Sequence, residues 1–304
     1  MPDITSVLMG RIEHNVPLKQ FTTFFLGGPA GSFLEVYSEE ELVEAARMTT
    51  RDKIPAFILG GGSNLVISDS GFNGMVIRNL SADEDRVDIS NSTVTISSGR
   101  TLAHLVGIAW EHSLSGAETF TGIPGSVGGA ICGNAGAYGK SISDVLESAE
   151  ILFPDGQKKI VQKDFFQFGY RDSLLKREKY LIVNATFRFQ NGDKTSIQNK
   201  IKDIAAQRHS KHPPREVGSA GSFFKNLDPL PGDTRRRPAG EFLEKAGAKG
   251  LSVGGASVYE KHANFIVNYG KACSSEVKEL ACTLKNRVFD LFGITLHEEV
   301  LYIG

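Results

Sequence analysis

Two glycine-dense segments constrain this chain more than any other feature. They read Leu59-Gly60-Gly61-Gly62-Ser63-Asn64-Leu65 and Gly122-Ile123-Pro124-Gly125-Ser126-Val127-Gly128-Gly129-Ala130. Backbone without Cβ atoms can approach another backbone or a phosphate closely, and its N–H groups can converge on one concavity. Ser63 and Ser126 add hydroxyl donors. The first segment follows the apolar run Pro55-Ala56-Phe57-Ile58-Leu59, the pattern of a buried strand feeding a loop. It is not a dinucleotide fingerprint of the G-x-G-x-x-G kind, because Leu65 holds the last glycine position. The second lacks the Gly-Lys-Ser/Thr of a P-loop. Both readings, tight turns or a phosphate cradle, stay open on the glycines alone.

Charge and composition narrow the class. The chain has 304 residues with 34 Lys+Arg against 35 Asp+Glu, and 40% of its residues are hydrophobic. That balance is globular and offers no bulk attraction for nucleic acid or membrane surfaces. No run reaches the ~18 apolar residues of a membrane helix, and the N-terminus lacks the pattern of a signal peptide. Cys132, Cys273 and Cys282 are odd in number and not at metal-ligand spacing. A reduced, cytoplasmic, enzyme-sized protein without a metal site is expected.

Helices are predicted over 39–50 behind Ser38, from Thr101 toward Gly116, around 196–208, and through Val277, Leu280, Ala281, Leu284, Val288 and Leu291 up to Gly293. Strands are predicted at Pro55–Leu59, Met75–Arg78, Thr93–Ser97, Glu299–Ile303 and Tyr180–Phe189. In the last, Leu181, Val183, Ala185, Phe187 and Phe189 share one face. The mixture lacks strict alternation, so the expected class is α+β with a boundary near 190–195.

The second glycine segment continues as Asn134-Ala135-Gly136-Ala137-Tyr138-Gly139. In this, the chain resembles the UDP-N-acetylenolpyruvoylglucosamine reductase family. Thr22-Thr23-Phe24 with Gly27-Gly28, and Leu59 to Leu65, resemble that family's opening flavin motifs. Phe168-Gly169-Tyr170-Arg171-Asp172-Ser173, Gly221-Ser222-Phe223-Phe224-Lys225-Asn226, Lys249-Gly250, Lys261-His262-Ala263-Asn264-Phe265 and Glu299-Val300 resemble its later motifs. The short interval between Arg171 and Ser222 resembles the subtype without an inserted tyrosine loop. Departures are Cys132, Leu227 and Leu301, with Pro229 and Pro231 suggesting a reshaped loop.

The resemblance implies a two-lobed vanillyl-alcohol-oxidase-like (PCMH-type) FAD-binding domain, with lobes at 1–80 and 81–195, then an α+β substrate-binding domain at 196–304. It implies non-covalent FAD, NADPH as co-substrate, and reduction of the enolpyruvyl ether of a UDP-sugar to UDP-N-acetylmuramate for the cell wall. No protein partner and no nucleic acid are implied. The flavin-binding set is Gly60, Gly61, Gly62, Ser63, Asn64, Leu65, Gly122, Ile123, Pro124, Gly125, Ser126, Gly128, Gly129, Ala130, Asn134, Gly136, Ala137, Tyr138, Ile182 and Val183. The catalytic set is Arg171 for the developing enolate, Ser222 as proton donor and Glu299. Tyr170, Lys225, Asn226, Lys249 and His262 are implied substrate contacts.

Chemistry supports these assignments. A guanidinium is a permanent, planar partner for a carboxylate or enolate. A serine giving up a proton leaves an alkoxide, which Lys225 could stabilise. A glutamate with a raised pKa can orient a carboxylate, and its neighbour Glu298 could raise it. Taken singly, Ser222 also reads as a turn serine, Glu298 and Glu299 as exposed strand residues, and Arg235-Arg236-Arg237 as a solvated face. Two rival functions are an FAD oxidase of a hydroxy acid or alcohol, and a non-enzymatic nucleotide-binding module. The oxidases often tether flavin through a histidine after two glycines, which this first loop lacks.

Overall fold

The computed structural model describes residues 3–304. Its elements follow the sequence patterns closely. The first long helix is Glu39–Arg51, and Ser38 Oγ accepts from the Glu41 N–H at 3.1 Å. Glu41 does not close a capping box on Ser38. Its carboxylate accepts from the Tyr37 N–H at 2.8 Å and pairs with Arg11.

Packing groups the chain into two units. One comprises the described residues up to His14, Ser32–Gly61 and Gly74–Arg208; the other comprises Asn15–Gly31, Gly62–Asn73 and His209–Gly304. The second unit takes in residues 62–73 because strand Leu65–Ile67 pairs in parallel with Leu301–Ile303. The polar helix, predicted at 196–208, spans Lys194–Lys211 and buries only Ile197.

In the first unit, Ala56–Leu59 pairs in parallel with Phe72–Asn79. A five-stranded antiparallel sheet runs in the order Lys158–Gln162, Leu146–Leu152, Leu181–Arg188, Thr93–Ser97, Arg86–Asp88. Helix Leu102–Glu111, capped by Thr101, lays Leu102, Leu105, Val106 and Ala109 against the largest core, with Ile96, Phe120, Ile131 and Phe187. Residues of strand Leu181–Arg188 alternate as predicted except at one place. Its register slips between the pairs Glu150–Asn184 and Ile151–Ile182. Ile182 and Val183 are consecutive, yet both are buried. A bulge of this kind adds one residue on one strand and redirects the side chains.

In the second unit, four short antiparallel strands run in the order Gly218–Ser219, Ile266–Asn268, Ala256–Val258, Ser252–Val253. Helix Ser274–Phe292 buries Val277, Leu280, Ala281, Leu284 and Val288 in a core shared with Phe223, Phe224, Leu243 and Ile266. Its C-terminus stops at Gly293, whose φ of 65° suits a residue without Cβ. At the other end, the Asp69 carboxylate accepts from the Ser274 N–H at 2.8 Å and the Ser274 hydroxyl at 2.9 Å. Among the described residues no helix is long and apolar enough to cross a membrane, and none forms a metal-binding cluster.

Candidate active site

Gly60 and Gly61 of the first glycine segment meet the second segment within the first unit. A Cβ on Gly60 would lie 2.2 Å from Ser126 Oγ, and one on Gly61 would lie 2.7 Å from the Gly125 Cα. Real Cβ atoms do not approach backbone so closely, so loop packing requires glycine at Gly61, while at Gly60 a Cβ would force the Ser126 hydroxyl out of its place. Ser126 Oγ accepts from the Gly129 N–H at 3.2 Å and caps the short helix Val127–Cys132. The Leu102 N–H donates to the Gly125 carbonyl at 3.1 Å, and the Val127 N–H to Arg100 at 2.8 Å. Ala130 is buried, and Ile123 packs at the edge of the core. Gly128 donates its N–H to Ser98 O at 2.8 Å. Ser98 in turn holds the carbonyls of Ile182 and Val183, at 2.7 and 2.9 Å. These two residues support the cradle from behind through their backbone.

Strained backbone marks the next part of the unit. Asn134, Tyr138 and Arg171 have φ of 43°, 54° and 54°, a left-handed region that costs a side-chain-bearing residue energy. Asn134 offsets this with two bonds. Its side-chain nitrogen donates to the Gly169 carbonyl at 2.8 Å, and its oxygen accepts from the Ser143 N–H at 3.0 Å. Arg171 donates to the Gly136 carbonyl at 2.5 Å and lies 5.3 Å from the centre of the Tyr170 ring. The flavin motif and the arginine motif are therefore one hydrogen-bonded structure. Gly136 has no room for a Cβ, which would fall 2.2 Å from Lys140 O, and Ala137 pairs with Lys140.

No sequence motif flagged Arg208, near the end of the polar helix. Its Cδ and Nε lie 3.0 Å from where a Cβ on Gly122 would be. Its Nε is buried without a hydrogen bond. Burial lowers its pKa, the Tyr138 hydroxyl raises it and the Arg171 charge lowers it further. The helix carries no apolar periodicity, so nothing in the sequence pointed inward from it.

In the second unit, the opening motif closes on the first glycine loop. The Thr23 N–H donates to Gly62 O at 3.1 Å, and a Cβ on Gly62 would lie 2.1 Å from Phe21 O. Asn64 Nδ2 donates to the Glu299 carbonyl at 3.1 Å, the Leu301 N–H donates to Asn64 O at 2.9 Å, and Leu65 pairs with Leu301. The Glu299 N–H donates to Phe223 O at 2.8 Å, one residue past Ser222, and the Lys225 N–H donates to His297 O at 2.8 Å. Ser222 and Glu299 are thus on adjoining extended segments. Glu298 faces Lys285 at 2.9 Å, which counters the charge expected to act on Glu299.

The other implied substrate contacts have structural partners too. Asn226 Oδ1 accepts from the Ala239 N–H at 3.2 Å, Lys249 pairs with Glu244, and His262 Nδ1 accepts from the Asn264 N–H at 3.2 Å. Burial lowers the pKa of His262. Leu227 and Arg237 exchange backbone bonds of 2.9 and 3.1 Å, so the 227–237 segment closes on itself. Arg236 pairs with Asp228 at 2.6 Å and Arg237 donates to Asp228 O at 3.0 Å. Two arginines of the basic run are engaged within their own loop.

The cradle fits a dinucleotide cofactor. Among the described residues, the N–H groups of Gly61 and Gly125 donate to no carbonyl, and the close approach of their backbones leaves no Cβ over them. Residues 31–161 match the family model described as an FAD binding domain. The fold and site therefore define an FAD-dependent oxidoreductase of mixed α+β build whose chain carries an FAD-binding domain. Residues 212–303 match the model for the C-terminal domain of UDP-N-acetylenolpyruvoylglucosamine reductase. Enzymes of that name from Clostridium botulinum and Clostridium kluyveri are 37% and 36% identical. They cover 95% and 96% of this chain, and this chain covers 91% and 93% of theirs. The crystal structure of the Thermus caldophilus reductase matches with a TM-score of 0.79 and 33% identity, over 97% of this chain and 99% of that one. The chain belongs to the UDP-N-acetylenolpyruvoylglucosamine reductase family.

Proposed function

We propose that this chain reduces the enolpyruvyl ether of a UDP-N-acetylglucosamine to UDP-N-acetylmuramate, with NADPH as donor and non-covalent FAD. Family membership sets the reaction, and the single observation that carries the residue roles is the bond from the Glu299 N–H to Phe223 O at 2.8 Å. It draws the serine and glutamate motifs, far apart in sequence, into one local structure. Residues 1–80 and 81–195 supply the flavin-binding lobes and 196–304 the substrate domain. Reactants of this kind, NADPH and a nucleotide sugar, support a cytoplasmic site of action.

When bound, FAD carries hydride from NADPH to the terminal carbon of the ether. The chain's own residues handle the charge that follows. Hydride addition leaves an electron pair on the adjacent carbon, delocalised into the carboxylate. Arg171 stabilises that charge, since a fixed guanidinium works best where charge develops. The Ser222 O–H bond then breaks as a C–H bond forms at that carbon. The pair stays on the serine oxygen, with Lys225 as the stabilising cation, until solvent reprotonates it. Glu299 orients the carboxylate. Gly60–Leu65, Gly122–Ser126, Gly128–Ala130, and Asn134, Gly136, Ala137 and Tyr138 hold the cofactor, with Ile182 and Val183 behind them. Tyr170, Asn226, Lys249 and His262 hold the UDP-sugar.

The test is turnover in D2O. The product should carry solvent deuterium on the carbon beside the carboxylate, and Ser222→Ala should slow its formation sharply. Full activity of Ser222→Ala would remove the serine from this role. Rapid oxidation of a hydroxy acid by oxygen, with no effect of the UDP-sugar, would favour the oxidase reading.

A further inference from the structure

The segment carrying Ser222 is held on both sides, and one of the two holders has no role in the reading above. Asn264 is 3% exposed. Its side chain behaves as a strand partner for Phe224: Oδ1 accepts from the Phe224 N–H at 2.9 Å, and Nδ2 donates to the Phe224 carbonyl at 2.8 Å. Its own carbonyl accepts from the Phe223 N–H at 2.8 Å. Three bonds thus fix the two residues that follow Ser222. On the other side, Phe223 O accepts from Glu299 and Phe224 bridges to Glu298. Phe223 and Phe224 are fully buried, so their backbone cannot turn to water if these bonds are lost.

We propose that Asn264 is a positioning residue that sets the Ser222 hydroxyl for proton transfer and keeps Glu299 in register with it. The proposal rests on the reading of Ser222 as proton donor. An amide is the one side chain here that matches a peptide group, giving and accepting at once. An aspartate keeps the acceptor and loses the donor. An alanine loses both and leaves two buried backbone groups unpaired. The backbone N–H of Asn264 donates to His262 Nδ1, which places the imidazole proton on Nε2 and orients that ring as well. One residue therefore couples the geometry of the serine, glutamate and histidine motifs. A proton donor displaced by a fraction of an ångström to an ångström loses rate steeply.

The experiment separates the half-reactions of the FAD-loaded protein by stopped flow. NADPH-driven flavin bleaching should be unchanged in Asn264→Ala. Because hydride addition reverses until the new carbanion is protonated, return of the flavin band with the UDP-sugar should slow by about 100-fold, and its solvent deuterium isotope effect should rise as protonation becomes limiting. Asn264→Asp should fall between Asn264→Ala and the parent. Should Asn264→Ala fail to accumulate with flavin, Asn264→Asp, which keeps the shape, decides. An unchanged return phase, or equal slowing of both phases, would overturn the proposal. Ser222→Ala is run beside them. If it too leaves the return phase unchanged, the reading of Ser222 has failed; if it slows that phase while the Asn264 variants do not, only the positioning role has failed.

Discussion

The Asn64 side-chain nitrogen donates to the Glu299 carbonyl oxygen over 3.1 Å, and the chain returns a bond when the Leu301 N–H donates to Asn64 O at 2.9 Å. The residue after the glycine run is thereby joined to the C-terminal glutamate. Asn64→Ala should cost about 1 kcal/mol, the ordinary net worth of a hydrogen bond. It should also slow flavin reoxidation by the UDP-sugar, because Glu299 loses one of its backbone anchors. Denaturant midpoints and the reoxidation rate check the two halves. A variant altered in neither would separate Asn64 from Glu299 function.

The glycine loops make a sharper prediction. Gly61→Ala places a Cβ against backbone at Gly125, which cannot rotate away. The protein should purify with little flavin, read from the ratio of flavin to protein absorbance. Gly107 is the contrast. It lies inside helix Leu102–Glu111 with nothing near its Cβ position. Gly107→Ala should keep its flavin and gain about 0.5–1 kcal/mol of stability.

Arg171 combines a φ of 54° with a bond to Gly136 O. Arg171→Lys keeps the charge but not the planar fork. Turnover should fall by roughly 100- to 1,000-fold, the usual loss when a charge-stabilising donor is removed, while flavin content and NADPH-driven bleaching hold. Turnover close to the parent's would show that charge alone suffices at this position.

His262 gives a pH dependence. Burial holds its pKa below the ordinary imidazole value, with Lys211 and Lys249 acting in the same direction and its own backbone and Glu244 against it. The unfolded chain therefore takes up this proton more readily than the folded one. The stabilisation is complete above the ordinary imidazole range and is lost as pH falls through it toward the folded value. Protonation at Nδ1 would also remove the acceptor for the Asn264 N–H. Melting temperature should drop more steeply on acidification in the parent than in His262→Gln. Parallel profiles would rule out this linkage.

Local signals made much of this fold legible. Ser38 and Thr101 cap the helices they were expected to cap, and Gly293 ends the last one. Alternation located the strand Leu181–Arg188. Burial of both Ile182 and Val183 was not legible, because a register slip is set by the partner strand and leaves no periodic trace. Motif resemblance singled out Arg171, Ser222 and Glu299 as candidates. It could not show that Asn134 ties the flavin motif to Gly169, or that Asn264 copies a strand beside Phe224. Those roles depend on contacts between distant segments. Arg208 was missed for the opposite reason: its helix has no apolar face to announce which side turns inward.

The most direct test of the central claim is the visible spectrum of the purified protein under anaerobic conditions, with NADPH added first and the enolpyruvyl UDP-sugar second. The flavin band should bleach with NADPH, stay bleached, and return on addition of the UDP-sugar. A band that bleaches and does not return with that substrate would contradict the assigned reaction while leaving the flavin fold in place.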